Sequence, residues 1–381
     1  MGRAAEIDAV LAALLSGQSA SWPFADSAAI GDEFVARIRF HGVAGLVAKR
    51  HSAFEQLPAP VAAAIDTEAQ RGAITEASRQ TVVRGMLEAL AAAGVGHVLL
   101  KGSHLAYSLY DDPTDRTRGD TDVLVREDQR GLAGDVLRAL GFTHTPGHRD
   151  GLYQATWLSA AEFGIQHEID LHWRISNSPA LASLFDTGLF AGAVPLPKLS
   201  PAARGMDNAH LLLHLALNQA WHESSGFISE GALVKGARRL GWTYDIHLLA
   251  EALTEDEWSE LAETARRSGA APIILHALNA AERLLGAALP AEAMAKLRAA
   301  PRETWLTRYI EQADFSFRLK CDIRAASGLA EKSALLRWHA LPPEERLRER
   351  FPDRRGWPAW ALRLLRLFAG PMRWLRKVAG S

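Results

Sequence analysis

The 381-residue chain has very little cysteine, since Cys321 is the only one. A single cysteine excludes an internal disulfide framework and is typical of proteins that fold in a reducing compartment. The chain also lacks an excess of charge, because 43 basic and 44 acidic residues leave a formal net charge of −1. General electrostatic attraction to nucleic acid is therefore not expected.

Long apolar segments and glycine-rich nucleotide loops are missing as well. No apolar run approaches the length of about 20 residues that spans a bilayer. The first residues include Glu6 and Asp8 and do not follow the basic-then-apolar pattern of a signal peptide. Neither a P-loop nor a GxGxxG motif occurs, so the two common mononucleotide folds are not indicated. We therefore expect a cytoplasmic protein.

The pattern of apolar residues divides the chain into four parts. Spacings of three and four residues predict helices over 1–95, and a small unit of mixed strands and helices follows at 96–195. The helical spacing returns over 196–350, and 351–381 forms a basic amphipathic tail. The predicted fold class is thus α+β, with a small mixed-sheet core, N-terminal helices and a C-terminal helical domain.

Within the central unit, short apolar runs predict strands and longer amphipathic runs predict helices. Residues 97–102 and 120–125 are predicted strands, with a helix that starts at Ser103 between them. Residues 127–142 form a predicted amphipathic helix with Leu132, Val136, Leu137 and Leu140 on one side. Two further segments, around 153–159 and 167–175, are predicted to pair as a hairpin.

Two aspartates on the second strand are the first candidate functional residues. In a strand, residues i and i+2 lie on the same face, roughly 6–7 Å apart, so Asp120 and Asp122 project together. Two close carboxylates repel each other unless a partner compensates their charge. A bound Mg²⁺ or Mn²⁺ would supply that charge, whereas a solvated strand end is the simpler alternative.

Gly102 and Ser103 connect the first strand to its helix. The free N–H groups and partial positive charge of a helix N-terminus favour phosphate, and glycine allows a close approach of the backbone. The serine hydroxyl can add a hydrogen bond. The alternative is an ordinary helix N-cap, a position that serine often occupies.

A third acid lies on the strand predicted over 167–175. Alternation places Glu168, Asp170 and His172 on one face, so alternation alone leaves Glu168 and Asp170 as alternatives. If this strand lies beside 120–125, its acid joins the aspartate pair. Three carboxylates around two metal ions are suited to in-line attack on a phosphate, with the third acid as proton acceptor.

The order of these elements resembles the nucleotidyltransferase superfamily related to DNA polymerase β. The resemblance is closer to one large, mostly bacterial branch, whose core reads approximately LKG, LY, P, R, DIDLLV and LHW, and it covers about 35–260. Two departures are Thr121, where isoleucine is common, and Asn218, where the family often has histidine. The matching residues here are Leu100-Lys101-Gly102, Leu109-Tyr110, Pro113, Arg116 or Arg118, 120–125 and Leu171-His172-Trp173.

The resemblance implies a metal-dependent nucleotidyltransferase that transfers a nucleoside monophosphate from an NTP to a hydroxyl-bearing small molecule, peptide or protein. Asp170 is preferred over Glu168 as the third acid because it precedes the LHW segment and has fewer rotamers to restrict. The alternatives are transfer of a sugar or phosphate group on the same fold, or a non-catalytic nucleotide-binding regulator. The implied residues are Asp120, Asp122 and Asp170 for catalysis and metal (Mg²⁺ or Mn²⁺), and Lys101, Gly102, Ser103, Arg116 and Arg118 for the nucleotide.

Two further patterns are less specific. His210, His214, Asn218 and His222 recur every four residues, which predicts one polar helical stripe. The stripe fits a cleft lining or ordinary helix histidines. A zinc site is a third alternative, although the HExxH motif is absent. The tail at 351–381 suits a membrane surface or a protein partner, or it folds back on the helical domain. No nucleic-acid partner is expected, because no basic groove is evident.

Overall fold

A computed structural model of the protein describes residues 2–24, 28–145, 150–185, 187–229, 232–312, 314–351, 354 and 356–365. Most of the predicted tail, residues 366–381, lies outside the described residues. The N-terminal part is mainly helical, as predicted, and α4 begins with Pro58 as its N-cap and Pro60 in its first turn, where the fixed φ of proline suits a helix start. The elements are α1 (Arg3–Leu15), β1 (Ala20–Ser21), α2 (Ala28–His41), α3 (Ala44–Ala48), β2 (Phe54–Glu55) and α4 (Ala59–Ala92).

A seven-stranded mixed sheet forms the centre of the described chain. Its elements are β3 (His97–Leu99), α5 (Lys101–Ser108), β4 (Asp120–Val125), α6 (Arg130–Ala139), β5 (Thr143–His144), β6 (Gln154–Leu158), β7 (Glu168–His172), α7 (Pro179–Ala182), β8 (Val194–Pro195) and β9 (Arg204–Gly205). The strand order is β5-β6-β7-β4-β3-β9-β8. Strands β4 and β7 are parallel, whereas β6 and β7 form the predicted antiparallel hairpin.

The C-terminal part is again helical apart from one short hairpin. Its elements are α8 (Asn208–Ser225), β10 (Phe227–Ser229), β11 (Ala232–Val234), α9 (Leu240–Ala252), α10 (Glu255–Ser268), α11 (Ala271–Leu285), α12 (Ala291–Arg298), α13 (Trp305–Glu311), α14 (Phe315–Ala325), α15 (Leu329–Ala340) and α16 (Glu344–Arg350). The predicted α+β fold, with a mixed sheet between two helical parts, is confirmed. Within the described residues, no helix combines the length and apolarity that crossing a membrane requires.

Two local predictions are wrong. The helix after β3 begins at Lys101 and not at Ser103, because Leu100 occupies the N-cap position with extended backbone angles. Leu132 and Leu140 are 46% and 45% exposed. The buried face of α6 is instead formed mainly by Ala133, Gly134 and Leu137, since a small face lets α6 approach the Trp157 ring of β6.

The apolar core lies on both faces of the sheet. One buried cluster lies between α4, the sheet and α6, and includes Leu87, Val123 and Ile169. The other continues from α1 through α8 and α11 to α13, and includes Leu11 and Ile310. The two faces of β4 therefore have different surroundings. Val123 and Val125 are buried in the first cluster, whereas Asp120 and Asp122 face away from it. The strand thus projects its aspartates to one side of the sheet.

Candidate active site

The parallel pairing of β4 and β7 brings two carboxylates together. Asp122 is the register partner of Asp170, and Asp120 is the partner of Glu168. Residues directly opposite each other in neighbouring strands project to the same side of the sheet. The register therefore places Asp170 next to Asp122, and Glu168 next to Asp120 at the strand start.

A three-residue cluster forms around this pair. Asp122, Asp170 and His172 each offer a ligand atom, and these atoms lie within 4.8 Å of one another. His172 Nε2 lies 2.9 Å from Asp122 Oδ1, so the ring donates a hydrogen bond to the carboxylate. The cluster contains two of the three predicted metal ligands and adds His172, which alternation had placed on the face of Asp170 but which was not predicted as a ligand.

Asp170 is a buried acid with two neutral hydrogen-bond donors. Thr156 Oγ1 donates to Oδ1 at 2.6 Å, and Gln154 Nε2 donates to Oδ2 at 3.2 Å. Burial, together with the negative charge of Asp122, raises the pKa of Asp170 to about 6. A carboxyl group with such a pKa can accept and release a proton near neutral pH.

Lys101 supplies the positive charge that compensates the aspartates. Its Nζ lies 2.7 Å from Asp122 Oδ1. Desolvation opposes the charge of Lys101, but Asp122 and Asp120 outweigh it and raise the pKa of the ammonium. Burial likewise opposes ionisation of Asp122, yet Lys101 and His172 lower its pKa. Lys101 has a φ of 47°, a left-handed conformation that is unusual for lysine and common at functional sites.

Asp120 stands at the open edge of the site. Its side chain is exposed at the molecular surface, and it is absent from the three-residue cluster of the described chain. The charge of Asp122, followed by crowding from surrounding protein atoms, raises the pKa of Asp120. Its predicted role as a metal ligand and catalytic residue stays a prediction.

The predicted phosphate cradle lies in the first turn of α5. Gly102 is the second residue of this helix and Ser103 is the third. Ser103 is 2% exposed, and its Oγ has no hydrogen-bond partner among the described residues. A Cβ at Gly102 would lie 3.5 Å from Arg118 Cδ, an ordinary contact, so packing within the protein does not require glycine at this position.

The two candidate phosphate-binding arginines have different surroundings. Arg116 Nε and Nη2 donate to the two carboxylate oxygens of Asp245, a residue of α9, at 2.7 and 2.8 Å. Arg118 Nη2 donates to Glu76 at 2.6 Å, but its buried Nε and Nη1 have no partner among the described residues. Arg118 therefore has two N–H donors without a partner next to Gly102, whereas Nε and Nη2 of Arg116 both bind Asp245.

A cavity of about 460 Å³ adjoins the carboxylates, between the ends of β6 and β7 and the C-terminal helices. Three members of the predicted polar stripe, His214, Asn218 and His222, line it. His210 instead contacts Asp207 at the start of α8, at 2.7 Å. Gln154 and Thr156 were not predicted as site residues, because neither belongs to a motif; only their alternation on β6 could have placed them beside Asp170.

One comparison with known proteins identifies a family for the chain. No curated protein matches the chain. A solved structure titled "Crystal structure of an antigenic nucleotidyltransferase-like protein from Paracoccidioides brasiliensis" is similar at 14% identity, over 56% of this chain and 95% of that chain, with a TM-score of 0.35. Residues 28–286, which contain every predicted site residue, match the model of a family described as "Uncharacterised nucleotidyltransferase". The chain therefore belongs to this uncharacterised nucleotidyltransferase family.

Proposed function

We propose that this protein transfers a nucleoside monophosphate from an NTP to an acceptor hydroxyl. Membership of a nucleotidyltransferase family supports a transferase. The observation that carries the finer proposal is the register of β4 and β7, which places Asp170, with a raised pKa, beside Asp122. A proton acceptor is thereby held next to a charged carboxylate of the same cluster.

The residues around the cluster can divide the reaction between them. The acceptor oxygen forms a bond to the α-phosphorus, and its proton passes to Asp170. The bond between the α-phosphorus and the bridging oxygen to the β-phosphate breaks, and pyrophosphate leaves with that electron pair. In this proposal, Arg118 and the N–H groups at Gly102 and Ser103 hold the phosphates, and Lys101 balances their charge.

The chemistry of the donor set fits a divalent cation. Asp122 and Asp170 offer the oxygen ligands that Mg²⁺ and Mn²⁺ prefer, and the His172 nitrogen suits Mn²⁺ better than Mg²⁺. When bound, such an ion would offset the charge that develops on the phosphate oxygens. Asp120 is a further candidate ligand at the open side of the site.

An acceptor-independent assay can test the proposal. The protein is incubated with ATP and Mg²⁺ or Mn²⁺, so that water replaces the unknown acceptor, and the products are separated by chromatography. We expect AMP and pyrophosphate. Formation of ADP and phosphate would contradict nucleotidyl transfer and favour phosphate transfer on the same fold, and no turnover with any NTP would favour a non-catalytic nucleotide-binding protein.

Two matched variants test the assignment of the third acid. Asp170→Asn should retain ATP binding in calorimetry and lose at least about 100-fold in turnover, because general-base catalysis typically contributes 10²–10⁴-fold. Glu168→Gln, two residues earlier on the same strand face, is the control and should be mild in both measurements. Full turnover of Asp170→Asn, with loss in Glu168→Gln, would reverse the assignment.

A further inference from the structure

The cavity beside the carboxylates has a chemical character of its own. Its walls include the aromatic side chains of Trp221, Tyr309 and Phe315, and its volume of about 460 Å³ lies within the range of small-molecule sites. Tyr309 and Phe315 belong to α13 and α14, beyond residue 286, where the family match ends. This wall of the cavity is therefore built by a part of the chain that the family model does not cover.

The cavity adjoins the hydrogen-bond partners of the two carboxylates and reaches the first turn of α5 only at Lys101. Gln154, which donates to Asp170, lines it, and so does His172, which donates to Asp122. Of the described residues, Gly102 and Arg118 are not part of its lining. A molecule in the cavity would thus approach the proton acceptor, which is the position of an acceptor and not of a triphosphate.

The charged groups of the cavity are already paired with the protein. The Asp322 carboxylate accepts hydrogen bonds from Ser178 Oγ at 2.6 Å, from the Ala180 N–H at 3.1 Å and from Tyr309 Oη at 2.9 Å. Arg318 donates to the backbone oxygens of residues 309 and 310 at 2.6 and 2.7 Å. The carboxylate of Asp322 is therefore saturated and is not free to bind a cationic ligand.

Two buried histidines, in contrast, have ring nitrogens that no described residue satisfies. His172 and His214 are 4% and 6% exposed, both line the cavity, and Nδ1 of each has no hydrogen-bond partner among the described residues. Burial, and then the charge of Lys101, lower the pKa of His214 to about 3, so this ring is neutral at pH 7. A buried ring nitrogen without a partner costs free energy, and a neutral ring presents no charge to a ligand in the cavity.

We infer that this cavity binds the acceptor, and that the acceptor is a hydroxyl-bearing molecule with a flat apolar body and no positive charge. The flat body packs against Trp221, Tyr309 and Phe315, and its hydroxyl points toward Asp170, on the side of the cavity that Gln154 and His172 line. A cationic acceptor is disfavoured, because Asp322, the carboxylate among the lining residues, is saturated. The role of the bound molecule as acceptor rests on the proposed function, whereas its binding does not.

Calorimetry on the full-length protein, without metal or nucleotide, tests the inference with two probes that share a ring system. 2-Naphthol is uncharged at pH 7, and 2-naphthylmethylamine carries an ammonium group. We expect the naphthol to bind and the amine to bind at least about tenfold more weakly, the ratio that corresponds to about 1.4 kcal/mol. Absence of naphthol binding, or equal affinity for both probes, would overturn the inference.

A pair of variants locates the bound probe. Leu319→Trp fills the cavity from α14 and should weaken naphthol binding at least about tenfold while ATP affinity stays within about twofold. Leu336→Trp, the same change at a 48% exposed position of α15 outside the lining, is the control and should match the wild type. If Leu319→Trp does not fold, Phe315→Ala at a 54% exposed lining position serves instead.

The outcomes separate the two proposals. If Leu319→Trp weakens the binding of ATP as much as the binding of naphthol, the cavity holds the nucleoside, and the inference about the acceptor is wrong. If the wild type binds naphthol with the expected selectivity but neither binds ATP nor forms AMP, the proposed function fails while the cavity assignment stands. Unchanged naphthol binding in both cavity variants would overturn the assignment of the cavity.

Discussion

At the scale of single residues, the site is defined by charges that compensate one another. Asp122 is held ionised by Lys101 and His172, whereas Asp170 receives only neutral donors. Two carboxylates of the same type therefore have different proton affinities, because their surroundings differ. The same division separates a charged carboxylate from a proton acceptor in many acid–base sites.

The raised pKa of Asp170 predicts a pH-dependent cost to stability in metal-free protein. The folded-state pKa of about 6 exceeds the ordinary 3.8, so the folded chain keeps this proton up to a higher pH than the unfolded chain does. The free energy of unfolding should therefore fall as the pH rises from about 4 to about 6, by roughly 2–3 kcal/mol at about 1.4 kcal/mol per pKa unit.

Thermal or urea unfolding between pH 4 and pH 8 in EDTA measures this effect. Asp170→Asn should lack that part of the pH dependence and should be more stable than the wild type at pH 8. Asp135→Asn, at the surface of α6 where the carboxyl side chain is 70% exposed, should keep the wild-type dependence. Parallel curves for the wild type and Asp170→Asn would contradict the raised pKa.

At the scale of elements, the sequence predicted strands and faces better than it predicted contacts. The two-residue period places Asp120 and Asp122 on one face of β4, and the pairing of β4 with β7, which the sequence left as a condition, brings Asp170 to the same side. It could not show that Arg116 pairs with Asp245, which lies 129 residues later. Nor could it show that Lys101 turns into a left-handed conformation beside Asp122. Long-range ion pairs leave no periodic signal, whereas burial of one sheet face does.

The first turn of α5 gives the element-scale prediction. Gly102→Ala adds a methyl group with an ordinary 3.5 Å contact and a gain in helix propensity of up to about 1 kcal/mol. The melting temperature should therefore be unchanged or higher. ATP binding should weaken about tenfold, because the methyl group lies where the phosphate would approach the backbone.

Gly131→Ala is the matched control for this substitution. Gly131 is likewise the second residue of its helix, α6, and an added Cβ there meets no atom within 4 Å. The melting temperature of both variants should be unchanged or higher, and only Gly102→Ala should lose affinity for ATP in calorimetry. Normal ATP binding by Gly102→Ala would show that the phosphates are held elsewhere.

At the scale of the whole molecule, one buried carboxylate connects the sheet with the C-terminal helices. Asp245 of α9 is 1% exposed and accepts hydrogen bonds from Arg116, which precedes β4, and from Tyr110 Oη at 2.7 Å. The neighbouring residue Tyr244 accepts from Arg50 Nη2, after α3, at 3.0 Å. Three of the four predicted parts of the chain, 1–95, 96–195 and 196–350, therefore meet at this point, on the side of the sheet that carries the candidate site.

This connection predicts that Arg116 is needed for stability and not for contact with phosphate. Arg116→Met would leave the Asp245 charge buried with Tyr110 as its remaining side-chain donor, which should cost about 3–5 kcal/mol in urea unfolding. Adding Asp245→Asn should recover part of the loss, because the unpaired charge disappears. As a control, Arg138→Met breaks an exposed ion pair with Asp135 and should cost at most about 1 kcal/mol.

The ATP affinity of Arg116→Met, measured well below the unfolding transition, should stay within about twofold of the wild type. A variant of normal stability that no longer binds ATP would instead identify Arg116 as a phosphate ligand, and the ion pair with Asp245 would then have to open before the nucleotide could bind.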